Sequence, residues 1–316
     1  MFLSIFLIII GLAALILGAD WMINGAAGLA KRFKVSDLAI GLTVVAFGTS
    51  APELVVNAIA SVDGYSEIVL GNIIGSNNFN LFIILGLAGL IYPIQVQSST
   101  AWKEIPLSLV VAAFFFFMAN DYFIGGKDEL SRVDGLILLV GFILFLVYVF
   151  TQLKSEPSET IEEAVPKIGK LIFLIAIGLA GLIIGGKLVV DHAVSVATEL
   201  GVSQKVIGMT IIAAGTSLPE LVTSIVAALK KKSDIAIGNV IGSNIFNILL
   251  ILSVSTLIRP IEYIHAFNTD LYILMGGTVF LLIAMFTGVR KKLDRWESGL
   301  LLFFYIGYIV YMVVKG

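Results

Sequence analysis

The chain has no cysteine, and only 13% of its 316 residues are charged. Without cysteine there is no disulfide framework, no thiol chemistry and no thiolate metal site. Soluble globular chains carry about a quarter charged residues, and a water-soluble fold of this length has too little interior for a composition that is 59% hydrophobic. Histidine is nearly absent as well: His192 and His265 fall near the ends of predicted segments, where a lone imidazole is usually just solvated. No basic cluster is built for nucleic acid, and the formal net charge of −2 carries no message about partners. The N-terminus is apolar from Phe2 without a basic leader region, so it reads as a retained segment rather than a cleaved signal.

What is present is apolar length. Mean hydropathy is +1.04, and runs of about 20 apolar residues recur along the chain, each long enough to cross a bilayer as a helix. The runs are continuous rather than alternating, which excludes a transmembrane barrel. The chain is predicted to be an all-α polytopic membrane protein with ten spans, at about 2–19, 36–62, 67–91, 105–120, 134–152, 169–190, 203–229, 234–258, 268–288 and 296–314. An acidic, proline-containing loop at 153–168 separates residues 1–152 from residues 169–316, five spans on each side. If the N-terminus is outside, 14 of the 20 Lys and Arg residues fall in cytoplasmic loops. The positive-inside rule therefore predicts both termini outside and the central loop inside.

Shifted by 167 residues, the sequence lies over itself without a gap: Gly41–Leu87 matches Gly208–Val254 at 23 of 47 positions. Upstream, Gly11, Ala14 and Gly18 fall on Gly178, Gly181 and Gly185. Five spans separate equivalent points, so the second copy enters from the opposite side. "VDGYS" after the first motif helix against "LKKKS" after the second agrees with that inversion. Inverted repeats imply a pseudo-two-fold axis in the membrane plane and a shared midplane site, as in many secondary transporters. A duplicated scaffold without transport is the plainer alternative, but the repeat is strongest at polar and small positions rather than at apolar ones.

The first repeated element is "GTSAPE" at 48–53 and "GTSLPE" at 215–220. Proline within a helix removes one N–H and clashes with the carbonyl four residues back, here Gly48 or Gly215. The helix is predicted to break there, freeing carbonyls near Ala46–Gly48 and Ala213–Gly215. Thr49, Ser50, Thr216 and Ser217 add hydroxyls, and Glu53 and Glu220 add carboxylates. The second element, "GNIIGSNNFN" at 71–80 and "GNVIGSNIFN" at 238–247, puts Asn72, Ser76 and Asn80 on one helix face, and Asn239, Ser243 and Asn247 on its twin. Together the elements offer oxygen and nothing softer. That suits hard cations such as Na⁺, Ca²⁺ or Mg²⁺, and two carboxylates balance one divalent ion or two monovalent ones. Glu67 and Asp234, after Ser66 and Ser233, read instead as helix-start residues, and Glu156, Glu159, Glu162 and Glu163 as a solvated run.

These paired elements in two inverted halves resemble the alpha repeats of the sodium/calcium exchanger family, within the cation/calcium antiporter superfamily; the short central loop looks prokaryotic. The resemblance implies a transporter rather than an enzyme. It would exchange Na⁺ for Ca²⁺ electrogenically by alternating access in the cell membrane. Its ligands would be Glu53 and Glu220, oxygens of Thr49, Ser50, Thr216 and Ser217, backbone carbonyls of Ala46 and Ala213, and Ser76, Asn80, Ser243 and Asn247. No cofactor is implied beyond the transported ions, and no partner beyond lipid. Some relatives, potassium-dependent ones included, carry an acid at the position of Asn247; here Asn80 and Asn247 are both neutral, which argues against obligatory K⁺ co-transport. A proton-coupled calcium exchanger is the alternative, weakened because such proteins typically have "GNxxE" at this position. A passive cation channel and a calcium-binding scaffold are further ones. Gly11, Ala14, Gly18, Gly178, Gly181 and Gly185 would give spans 1 and 6 a smooth face, for sliding or for tight static packing.

Overall fold

The computed structural model describes residues 1–97, 100–120, 128–152, 166–201, 213–287 and 291–315. Most of the predicted central loop and the first half of predicted span 7, 203–212, lie outside these residues.

The described chain is almost entirely helical. Its main helices are α1 (Phe2–Phe33), α2 (Asp37–Thr49), α3 (Ala51–Asp63), α4 (Ser66–Ile91), α5 (Trp102–Ala119) and α6 (Arg132–Gln152). They are followed by α7 (Ile168–Glu199), α8 (Leu218–Leu229), α9 (Ser233–Ile258), α10 (Asn268–Ala284) and α11 (Arg295–Lys315). Among the described residues, seven helices are long and apolar enough to cross a membrane, and α2 with α3 forms an eighth span bent by 48°. The first half of the next broken span is undescribed, and α8 is its visible part.

Two predicted spans are too short. α1 runs to Phe33 and α7 to Glu199, well past the predicted ends at 19 and 190. The extra turns are polar enough to fall below a hydropathy threshold; those of α1 are rich in Ala and Gly and remain good packing surface. α1 and α7 lie antiparallel with backbones nearly touching. A Cβ on Gly18 would sit 2.7 Å from the Gly178 carbonyl, and one on Gly185 would sit 2.7 Å from the Gly11 carbonyl. The predicted small-residue face is therefore where these two helices meet, as small residues allow in lipid.

The opposite arrangement holds for α9. Every residue from Ile235 to Phe246 is buried, so this helix is the centre of the bundle. Its Gly238 and Gly242 let the backbone of α2 approach, with a Cβ on Gly242 meeting the Leu42 carbonyl at 2.8 Å. Two short strand pairs, absent from the sequence reading, tie the halves at their ends: Ile94–Gln95 with Lys292–Leu293, and Glu129–Leu130 with Ile261–Glu262.

The helices start at Ser66 and Ser233 as predicted, but no side chain caps either start, and Tyr65 and Lys232 hold the cap positions. Ser66 Oγ instead accepts from the Glu262 amide at 3.2 Å. Glu67 and Asp234 keep their first-turn positions, where a negative charge suits the helix dipole.

Candidate cation site

The chain breaks its second span where the proline predicts. Pro52 occupies the first turn of α3, Ser50 adopts φ −82° and ψ 4°, and the axis bends between Thr49 and Ala51. One detail differs from expectation: the Ala46 carbonyl keeps a helical partner, the Ser50 amide at 3.0 Å, and also faces the Thr49 hydroxyl at 3.3 Å. The break thus falls one turn later than the predicted freed carbonyl. Pro219 repeats the arrangement at the start of α8, with Ser217 at φ −89° and ψ 7°. Ala213 opens a short helical turn directly after the undescribed stretch, and no contact of its side chain is described.

These breaks aim the motif side chains at one another. Ser50 Oγ lies 2.9 Å from Glu220 Oε1, and its counterpart Ser217 Oγ lies 3.3 Å from Glu53 Oε1. Ser217 is also 3.2 Å from Ser76 Oγ. Glu53, Glu220, Thr49, Ser50, Ser76, Asn80, Ser217, Ser243 and Asn247 are all buried, and Thr216 is half-buried.

A second layer locks the helices that carry the serines and asparagines. Thr49 Oγ1 donates to Asn239 Oδ1 at 3.1 Å, and Thr216 Oγ1 to Asn72 Oδ1 at 3.3 Å. Asn77 Nδ2 donates to the Asn244 carbonyl and Asn244 Nδ2 to the Asn77 carbonyl, both at 3.3 Å. Asn80 Nδ2 reaches Asn244 Oδ1 at 3.1 Å, and Asn247 Nδ2 reaches Asn77 Oδ1 at 2.9 Å. Each bond pairs a residue with one whose own twin, 167 positions away, makes the matching bond back. Local geometry explains the reach. Residues 79–84 and 247–251 are π-helical turns, so Asn80 and Asn247 each sit at the start of a widened stretch, second and first in it; such turns concentrate at functional sites.

The amide groups of Asn80 and Asn247 are spent on these bonds, which turns their oxygens free. Asn80 Oδ1, Asn247 Oδ1, Glu53 Oε2, Glu220 Oε2 and Ser243 Oγ are buried and make no hydrogen bond. A buried oxygen without a partner is costly, and a carboxylate far more so. These five oxygens come from both copies of the repeat, and oxygen is the ligand type that hard cations take. No group of three or more His, Cys, Asp or Glu occurs among the described residues, so the charge of this donor set rests on two glutamates.

Helical spacing put Asn72 and Asn239 on the motif face without a role of their own, and it did not single out Asn77 or Asn244. In the structure all four bond the motif helices of one copy to those of the other. Their identity in both copies was the available signal, but spacing alone does not reveal which partner lies across the bundle.

Known proteins agree with this architecture. The family model described as sodium/calcium exchanger protein matches residues 3–151 and 170–314. A putative antiporter, CaxA, of Alkalimonas amylolytica is 38% identical over 95% of this chain and 96% of its own. The sodium/calcium exchanger MaX1 of Methanosarcina acetivorans is 31% identical over 96% of this chain and 97% of its own. A solved structure of the sodium-calcium exchanger NCX_Mj, soaked with zero Na⁺ and Ca²⁺, superposes with a TM-score of 0.85 at 34% identity, covering 98% of this chain and 99% of that one. The chain belongs to the sodium/calcium exchanger family.

Proposed function

We propose that this chain is an antiporter that exchanges Na⁺ for Ca²⁺ across the cell membrane by alternating access, without a requirement for K⁺. In this reading residues 1–152 and 169–316 are two inverted five-helix repeats joined by a cytoplasmic loop at 153–168, with ten spans and both termini outside. Glu53, Glu220, Ser50, Ser217, Thr49, Thr216, Ser76, Ser243, Asn80, Asn247 and the carbonyls of Ala46 and Ala213 surround the ions. The carrying observation is the crossed pair of contacts, Ser50 to Glu220 and Ser217 to Glu53, which makes one site from both repeats.

The coupling follows from charge. Two glutamates share one low-dielectric pocket, and moving them past the membrane centre uncompensated costs several kcal/mol. One Ca²⁺ or two Na⁺ neutralises the pair, and either load lowers that barrier. Because both loads use the same carboxylates, they compete. A carrier that crosses only when loaded must then trade one ion type for the other. Neutral Asn80 and Asn247, each already donating to a partner asparagine, add no third charge for a K⁺ to balance.

Calorimetric titration of purified protein with Ca²⁺ tests the shared site. Added Na⁺ should weaken Ca²⁺ binding competitively, and E53Q and E220Q should each remove it. Calcium binding untouched by Na⁺ would refute the shared site.

A further inference from the structure

The ion pair between Asp20 and Lys230 has a twin of reversed polarity elsewhere in the chain. Asp20, in α1, holds Lys230 at the end of α8, with Nζ 2.6 Å from Oδ1. Asn24 completes the cluster: its Nδ2 donates to Asp20 Oδ2 at 3.0 Å, and its Oδ1 accepts from Lys230 at 2.7 Å. Shifting these positions by 167 residues gives Lys187 and Asp191 on α7, and Asp63 at the end of α3. The acid on the long helix has become a base, and the base on the motif helix an acid. Complementary charges survive the duplication with their signs exchanged.

Lys187, Asp191 and Asp63 are all exposed, and among the described residues no carboxylate lies within ion-pair distance of Lys187. Lys187 nevertheless sits within a helix apolar and long enough to be a span. A charge at such a position is expensive and usually marks function. The register of the α1–α7 contact brings Gly11 to Gly185 and Gly18 to Gly178, which puts Lys187 level with Ile9, eleven residues from Asp20. At helical rise that is about 16 Å along the axis. The two clusters thus lie toward opposite ends of one tightly packed pair of helices.

We infer that Asp63 and Lys187 are the resting half of an alternating latch. In the described state Asp20–Lys230 fastens the α1–α7 pair to α8; in the opposite-facing state Lys187–Asp63 fastens it to α3, and Asp20–Lys230 is open. The glycine contacts leave α1 and α7 no room to separate, so a movement that brings Lys187 to Asp63 carries Asp20 away from Lys230. Two solvent-accessible pairs of like strength balance each other, so neither state is a trap. This inference rests on the alternating-access reading.

The absence of native cysteine makes a direct test available. Two double variants, Asp20→Cys with Lys230→Cys and Asp63→Cys with Lys187→Cys, are treated with a short bifunctional thiol reagent. The reaction is run in Na⁺, in Ca²⁺ and in ion-free buffer. Cross-linking of the two pairs should vary in opposite directions across these conditions. K230Q, placed in the Asp63/Lys187 cysteine variant, should raise its cross-linking roughly two- to threefold, the population change a solvent-accessible pair carries. A failure of the Asp63/Lys187 pair to cross-link in any condition, or a parallel rise of both pairs, would overturn the latch. Calcium uptake of the same uncross-linked variants in vesicles separates the two claims: uptake with no reciprocal cross-linking removes the latch and leaves the antiport. As a check independent of cysteine, charge reversal in D63K should slow exchange and the double reversal D63K/K187D should restore it; failure of the second reversal to restore it also counts against the latch.

Discussion

Ser50 and Glu220 come from opposite copies of the repeat, and the serine hydroxyl lies 2.9 Å from the glutamate carboxylate. Since the twin contact, Ser217 to Glu53, is also made, each carboxylate is steadied by a hydroxyl from the other half. Neither half alone makes either contact.

In the proposed site, replacing Glu53 or Glu220 by Gln removes one of the two carboxylates that balance the bound cations. Each variant should lose calcium exchange by about a hundredfold or more, on the order of 3 kcal/mol for a charged ligand. The fold should persist, since a neutral amide is cheaper to bury than a carboxylate. Vesicle flux and thermal unfolding in ion-free buffer check the two halves of the prediction.

Ser50→Ala and Ser217→Ala should act through the carboxylate they touch. Each loses one hydrogen bond, about 0.5–1.5 kcal/mol, so apparent calcium affinity should fall roughly two- to tenfold while maximal flux changes less. Uptake measured over a calcium series separates the two quantities. Equal losses in an E220Q background and in the wild type would show that Ser50 does not work through Glu220.

Gly18→Val should destabilise the α1–α7 contact by about 1–3 kcal/mol or more, because overpacking against a backbone carbonyl leaves no flexible neighbour to yield. A Cβ there stands 2.7 Å from the Gly178 oxygen. Gly276→Ala in α10 is the control: nothing among the described atoms lies within 4 Å of its Cβ, and alanine suits a helix better than glycine by up to about 1 kcal/mol. Thermal denaturation in detergent should show a lowered midpoint for the first and an equal or raised one for the second.

Tyr148→Phe should cost about 1–3 kcal/mol of stability. Tyr148 donates to Glu104, a fully buried acid whose second oxygen has no partner. Removing the hydroxyl leaves the entire carboxyl group unpaired. Tyr308 and Asp270 repeat this acid–tyrosine contact at 2.6 Å between α10 and α11, so Tyr308→Phe should follow with the same sign.

The motif residues were more legible in the sequence than the frame that holds them. Glu53 and Glu220 stand out because acids are rare in apolar runs, and the prolines beside them announce a break that the structure contains. Ser76, Asn80, Ser243 and Asn247 follow from helical spacing. The length of α1 and α7 was hidden, since both extensions are polar: residues 20–33 of α1 are held by packing and polar contacts, and residues 191–199 of α7 stay helical while mostly exposed or half-buried. The π-helical turns at Asn80 and Asn247 leave no mark in composition. The exchange of asparagine bonds between Asn77 and Asn244 is a long-range contact, and a pattern read along one chain does not give distances across the bundle.

Calcium uptake into vesicles containing the purified protein tests the central claim most directly. With Na⁺ loaded inside and a Na⁺-free, calcium-containing medium outside, uptake should be fast. It should collapse when Na⁺ is equal on both sides and stay unchanged when K⁺ or pH gradients are imposed instead. Uptake that proceeds at the same rate without a Na⁺ gradient, or that follows the pH gradient, would contradict the account.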